Sequence, residues 1–276
     1  MKRWMLGLGV VSLIGACAFS YRAERSFSKR IPAAEWSSLW VELGNAPERV
    51  VQAPAGEDAL WIEATVSALG GNEGVAREHA ESADVMSEDL GDTLRVFAYW
   101  PAEAEGILEF ETKSLVVPRN KPLSLVAGVG DIEFNGLSGD LDLDLSAGSV
   151  VIENAEADVG VKTGQGHINL QVVSGSANDS EQGYAVDAHT NLGNVTVEHA
   201  GDGPIYVESH RGDLEISISD DANLDIYVLA SDGIDVDTQQ LSIDEPYGEW
   251  AEQLGDGSRA LVAIAYDGSV RITDDP

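Results

Sequence analysis

Between residues 123 and 168 an apolar side chain recurs every nine positions, at Leu123, Ile132, Leu141, Val150, Val159 and Ile168. A second follows two positions after each, at Leu125, Phe134, Leu143, Ile152, Val161 and Leu170. The residue between is mostly polar. After a weak repeat at Ala177 the phrase resumes at Val186, Val195, Ile205, Leu214, Leu224 and Ile234, in steps of nine or ten. Apolar–polar–apolar is the period-two mark of a short strand with one buried face. The turns often carry glycine, as in Gly130-Asp131-Ile132, Gly139-Asp140-Leu141 and Gly148-Ser149-Val150. A fixed short period predicts an all-β fold, a parallel β-solenoid or β-helix-like stack of strand-turn units of about nine residues. One unit is one side of a coil. Two sides give about 18 residues per coil and three about 27; the period admits both, and the two-sided coil is preferred. Six or seven coils at about 4.8 Å spacing would make a rod roughly 30 Å long.

Other elements surround this region, which spans 121–276. Residues 36–120 read as an N-terminal β region packing on the solenoid. The stretches 38–43, 59–66, 93–100 and 106–117 alternate apolar and polar residues, and Pro101, Pro118 and Pro122 punctuate the later ones. Residues 72–92 are polar and alanine-rich, which suits either a short helix or a loop excursion. At the other end, 259–272 reads as strand, turn and strand. An open sheet edge invites aggregation, so this segment is expected to cover the last edge as a cap, with Tyr247 and Trp250 packed nearby.

Charge and the N-terminus add an address. The 276 residues hold 48 acids and 16 bases, a formal net charge of −32. Such a body repels nucleic acid and anionic membrane surfaces. Lys2 and Arg3 precede an apolar run from Trp4 to Ile14, the layout of a secretory signal peptide (1–16) and too short for a comfortable membrane span. Ile14-Gly15-Ala16-Cys17 resembles a bacterial lipobox, in which the cysteine is diacylated and becomes the new N-terminus. Ordinary cleavage after Ala18 also fits the small-residue rule. Lipidation of Cys17, the one cysteine, would give firm membrane anchoring. By resemblance to enteric sorting rules, Ala18 after the cysteine implies the outer membrane, on its periplasmic face or at the cell surface. Residues 17–35 then read as the lipidated cysteine and a tether, whose bases Arg22, Arg25, Lys29 and Arg30 would lie near anionic headgroups.

The run 115–152, LVVPRNKPLSLVAGVGDIEFNGLSGDLDLDLSAGSVVI, with the closing YDGSVRI (266–272), resembles the bacterial envelope family of "putative adhesins", whose function is unknown. Its members carry an apolar-Pro segment followed by Gly-Asp-apolar repeats. The resemblance implies a β-helix-like solenoid. It transfers no catalytic residues and little mechanism.

Candidate chemistry is sparse. Arg211-Gly212-Asp213 is the triplet that integrins read, but Gly212-Asp213 is also the repeat phrase. His189, His199 and His210 fall on neighbouring repeats and drift in register, which argues against a transition-metal column. The aspartates after glycines suit turn hydrogen bonds better than calcium ligation, because the paired glycines of calcium β-rolls are missing. Ala177 and Asp179 replace apolar residues, so Asn178, Asp179, Ser180 and Glu181 form a candidate polar notch. No nucleophile elbow, phosphate loop or zinc spacing appears, and no cofactor or metal is expected. The reading is a non-catalytic, lipid-anchored envelope protein, an adhesin or scaffold that binds a protein or glycan over its surface. Two alternatives stand beside it. One is a carbohydrate-active enzyme with paired carboxylates on a β-helix; the other is a cation-responsive envelope protein.

Overall fold

The computed structural model describes residues 21–104, 107–173, 184–201, 203–219, 222–239, 241–245 and 247–274. Cys17 and the notch residues Asn178, Asp179, Ser180 and Glu181 lie outside them. The fold is all-β with extensive parallel pairing and one α-helix among the described residues.

The first part of the chain builds β1 (Tyr21–Pro32), β2 (Ser38–Glu42), β3 (Val50–Gln52), β4 (Ala59–Gly70), α1 (Glu73–Ser82), β5 (Asp84–Asp89), β6 (Thr93–Tyr99) and β7 (Leu108–Val117). The four alternating stretches all become strands. Within 72–92 the ambiguity resolves into a helix followed by a strand. The helix starts where Asn72 accepts the Val75 amide at 3.0 Å, an N-cap that satisfies one orphan donor. Its small buried residues, Ala76 and Ala80, let it lie close to β4; a Cβ on Gly70 would meet the Ala76 nitrogen at 2.4 Å.

The tether is corrected from Tyr21 onward. Residues 21–32 are a twelve-residue strand, paired antiparallel along its length with β4 in a four-stranded sheet ordered β1-β4-β7-β3. Its four bases find partners within the protein. Arg22 meets Glu24 and Glu109, Lys29 meets Asp84, and Arg30 meets Glu57. Arg25 donates to the carbonyls of Glu81 and Ala83, near the helix C-terminus. Burial alone would raise Asp84, but the Lys29 ammonium and the Val85 amide hold it below its usual value.

Beyond Leu123 the chain alternates between two larger sheets. β8 (Leu123–Val129), β10 (Leu141–Ala147), β12 (Val159–Thr163), β14 (Val186–Thr190) and β16 (Ile205–Ser209) enter an eleven-stranded sheet. β9 (Ile132–Asn135), β11 (Val150–Ala155), β13 (Ile168–Val172), β15 (Val195–His199) and β17 (Leu214–Ile218) enter an eight-stranded one. Leu123 pairs with Leu141 and Leu141 with Val159; Ile132 pairs with Val150 and Val150 with Ile168. Each step is 18 residues, the offset that a two-sided path requires. From Val159 to Val186 and from Ile168 to Val195 it widens to 27. Among the described residues the nine-residue apolar positions from Leu123 to Ile234 are buried. Each contributes roughly 1.5–3 kcal/mol of burial before chain entropy is subtracted.

One corner of this path explains the glycines. Gly130, Gly148, Gly166, Gly193 and Gly212 all have φ between +138° and +149°, where a side chain is strained. They also stack. A Cβ on Gly148, Gly166 or Gly193 would lie 2.0 Å from the carbonyl oxygen of the glycine one rung earlier. Those carbonyls accept hydroxyls from buried side chains: Thr163 donates to Gly148, Thr190 to Gly166 and Ser209 to Gly193. The residue after each glycine links rungs from outside. The Ser149 amide donates to Asp131, His167 to Ser149 Oγ, Asn194 to His167 Nδ1, Asp213 to Asn194, and Ser269 to Asp213. The hydroxyl and amide of Ser269 hold the Asp213 carboxylate below its usual range.

The closing strands differ from expectation. After β18 (Leu224–Ala230), β19 (Gly233–Asp237), β20 (Ser242–Glu245) and β21 (Gly248–Leu254) come β22 (Arg259–Ala265) and β23 (Ser269–Asp274). β22 lies between β16 and β18, and β23 between β17 and β19. The segment expected as a cap is therefore an interior rung, with Leu261, Ala263, Val270 and Ile272 fully buried. The edge strands are instead β21 and β20, which pair antiparallel with β18 and β19. Trp250 on β21 packs partly buried against the core, whereas Tyr247 is 71% exposed. The nine-residue pattern in 224–236 and 261–272 marks both segments as rung-forming, but carries no information about their order.

Gly166→Ala and Gly193→Ala should each lower stability by about 3 kcal/mol or more, from positive φ plus a blocked carbonyl. Gly91→Ala, at φ +86° with open space around it, should cost only about 1 kcal/mol; denaturant midpoints measure the contrast. Deleting 259–276 should expose both β16–β17 and β18–β19 to solvent exchange. Amide protons in those strands that stay protected would refute the interior position of β22 and β23.

Candidate functional site

Parallel, in-register rungs align side chains into rows that cross the sheet. On the outer face of the eleven-stranded sheet one row reads Trp40, Ser124, Asp142, Gly160, Asp187, Tyr206, from β2 across to β16. Neighbouring strands are about 4.8 Å apart, so Trp40 and Asp187 are separated by roughly 19 Å. The order places an aromatic ring at either end, carboxylates inside them and a glycine near the middle.

That glycine helps form a depression. A cleft of about 810 Å³ opens over β2, β8, β10, β12 and β14. Trp40 lines one end, and Tyr184 and Asp187 line the other. Asp140 and Asp158, from the corner between the sheets, add two more carboxylates, and Ser38, Thr93 and Ser124 add hydroxyls. Among the described residues no Lys, Arg or His lines it. Asp158 and Asp187 are 6% and 5% exposed.

Both ends are braced. The Arg95 guanidinium sits 4.9 Å from the Trp40 ring centroid and is held by Glu42 at 2.6 Å and Glu88 at 3.2 Å. Cation–π contact and two carboxylates thus fix Trp40 from the side of β6. At the far end the Tyr184 ring lies 5.5 Å from Tyr206, and Tyr206 stacks on His189 at 4.9 Å. His189 Nε2 lies 2.5 Å from Asp187 Oδ1, and its Nδ1 lies 3.5 Å from Glu208. The Tyr206 hydroxyl donates to Glu208 at 2.7 Å. Burial, and then the Glu208 carboxylate, push the Tyr206 phenol far above its ordinary value.

The sequence candidates are redistributed. His189 and His210 come together on either side of Glu208, while His199 is buried on β15 in the other sheet. Among the described residues no group of three or more His, Cys, Asp or Glu is arranged to hold a metal ion. Arg211 is 71% exposed and reaches Asp267 at 3.8 Å, but Asp213 of the same triplet is engaged by Ser269 at the glycine corner. Among the described residues no helix is long and apolar enough to cross a membrane. The row itself was missed. Trp40 stands 84 positions before Ser124, and no local spacing connects them. The glycine at Gly160, between the two inward valines of its unit, was the available signal.

No known family profile matches the chain, and no curated protein matches it. Solved structures that resemble it loosely include a putative cell adhesion protein from Clostridium sporogenes, at 14% identity over 92% of this chain and 100% of that one, with a TM-score of 0.37. A putative adhesin from Parabacteroides distasonis aligns at 12% identity over 91% and 97%, TM-score 0.36. A putative lipid binding protein from the same species aligns at 13% over 90% and 96%, TM-score 0.30.

Tyr206→Phe should leave the absorbance titration at 295 nm unchanged through the ordinary tyrosine range near pH 10. The lost amplitude should appear only at more alkaline pH. A loss within the ordinary range would mean that the hydroxyl is neither desolvated nor held by Glu208.

Proposed function

We propose that this is a non-catalytic envelope protein, anchored in the outer membrane by lipid on Cys17, which binds a partner on the outer face of its larger sheet. In this reading the alternating strands form a flattened, two-sided β-solenoid. It is stiff because each rung is bonded to the next through both sheets and the glycine corner. The observation that carries the binding role is the cleft flanked by Trp40 and Tyr184. Its walls are braced by Arg95 and Tyr206, and its floor is a run of hydrogen-bonded parallel strands. The acidic body supports the same reading, since it keeps the face away from anionic lipid and free for contact. Adhesion, to a glycan or protein on another surface, is the role such a rigid display suits.

A carbohydrate-active enzyme is the second reading. Asp142 and Asp187 lie on either side of Gly160 in the row, two strand spacings or roughly 10 Å apart at their backbones. Carboxylate pairs at comparable separation can activate a water across a sugar ring.

Protease shaving of intact cells, with radiolabelled palmitate on wild type and Cys17→Ala, tests the first reading. The expected result is label on wild type only, and cleavage of the body from outside. A labelled protein that is cut only after the outer membrane is breached would end the adhesion role. An unlabelled wild type would remove the lipid anchor.

A further inference from the structure

We infer that the cleft of the larger sheet is a subsite for a linear glycan that lacks acidic groups, its chain running across the strands from Trp40 toward Tyr184. This rests on the binding role proposed above and names its ligand class.

Four properties of the cleft converge. First, its charge has one sign: Asp140, Asp142, Asp158 and Asp187 line it, with no base among the described lining residues. A uronate, sulfate or phosphate would meet four carboxylates in a chain of formal net charge −32, so an acidic polymer is excluded by repulsion. Second, a carboxylate accepts several hydrogen bonds, more than those that Asp140 takes from the Asp158 amide and Asp187 shares with His189. Sugars bring paired hydroxyls, and amino sugars bring ammonium groups as well. Third, Trp40 and Tyr184 supply apolar ring faces at opposite ends, against which the C–H faces of a pyranose can pack. Fourth, the row repeats at the strand spacing of about 4.8 Å, close to the length of one sugar ring, so successive residues of a linear glycan would meet successive rungs.

A basic peptide is the competing occupant, and the floor disfavours it. Extended peptides gain affinity by pairing with a free sheet edge. Here the floor is the face of strands whose backbone groups already bond to neighbours on both sides. A glycan needs no backbone partner.

Gly160 provides the test. A Cβ there makes only an ordinary contact, 3.5 Å from Asp142 Oδ1, and Gly160 is outside the positive-φ group. Gly160→Tyr should therefore fold, with an unchanged melting temperature, and fill the cleft. The full-length mature protein would be run in native gels and by calorimetry against hydroxyethyl cellulose, galactomannan, chitosan oligosaccharides, polygalacturonate and oligolysine. We expect at least one of the first three to bind and polygalacturonate not to bind. Trp40→Ala and Gly160→Tyr should weaken binding by about tenfold or more, and Tyr247→Ala should not change it. Asp142→Asn serves as a second cleft variant should Gly160→Tyr fail to fold. Binding that weakens with salt identifies the amine-bearing glycan, and binding indifferent to salt the neutral one. Failure of all three glycans, binding that survives both Gly160→Tyr and Asp142→Asn, or tighter binding of oligolysine would overturn the inference. Surface exposure and adhesion would be untouched by that failure. Conversely, release of new reducing ends would keep the glycan and overturn the non-catalytic role.

Discussion

The glycine corner is the constraint on which the rest depends. Two consecutive rungs approach so closely there that the carbonyl of one glycine occupies the space of a Cβ on the next. Only a residue without a side chain, at positive φ, lets the chain turn between sheets at strand spacing. The carbonyls so exposed would be costly if left unbonded in a buried corner, and Thr163, Thr190 and Ser209 reach back one rung to satisfy three of them. Outside, the Asp131 to Asp213 column performs the same service for the amides that follow the glycines. The register of neighbouring strands in both sheets is thereby set at each such corner, and in-register sheets turn side chains into straight rows. The row that ends in Trp40 and Tyr206 is a consequence of corners on the far side of each strand.

Position along the row then separates structure from chemistry. Inward places are filled by Leu, Ile and Val because they close the core between sheets. Outward places are free of that demand, and the larger sheet uses them unevenly. Opposite β8 and β10, Ser124 and Asp142 are small and polar; at β12 the side chain is missing; at β14 and β16 His189, Tyr206 and Glu208 form an interlocked cluster. The floor follows from substitutions at equivalent positions of one repeating unit, whereas the walls come from β2 and from Tyr184, just before β14, where the offset between paired strands widens to 27.

Much of this architecture was legible in the chain, and the reasons for the exceptions are physical. The two inward residues of each unit are visible because burial acts locally and repeats, so Leu123 to Ile234 read as core before any contact is known. The hydroxyl three positions before a glycine, as in Thr163 and Gly166, was equally local but was not recognised as part of the corner. The rank of β22 and β23 in the stack was not legible, because any rung fits any gap with the same periodicity. β1 was misread because alternating charge and small residues in YRAERSFSKRIP resemble a solvated linker. Its partners, the acids Glu57, Asp84 and Glu109, lie far along the sequence. The cleft was hidden for the same reason: Trp40 reaches β8 only through sheet pairing.

The charge distribution gives the two ends of the molecule different characters. The bases are concentrated toward the N-terminal sheet, where Arg22, Lys29, Arg30, Arg95 and Lys113 each meet at least one carboxylate. Surface pairs of this kind contribute little individually. Their collective effect is to reduce repulsion where strands of different origin converge. From Pro122 to Ser258 the only bases are Lys162 and Arg211, so the stacked rungs keep nearly all of their negative charge. Strands of one sign resist pairing edge to edge with another copy, which matters for a fold whose edge strands would otherwise be templates for growth. Antiparallel β20 and β21 interrupt the parallel pattern at one end, and β5 pairs antiparallel with β6 at the edge of the larger sheet at the other. Charge and reversed pairing together blunt the outermost strands of the larger sheet against pairing with another copy.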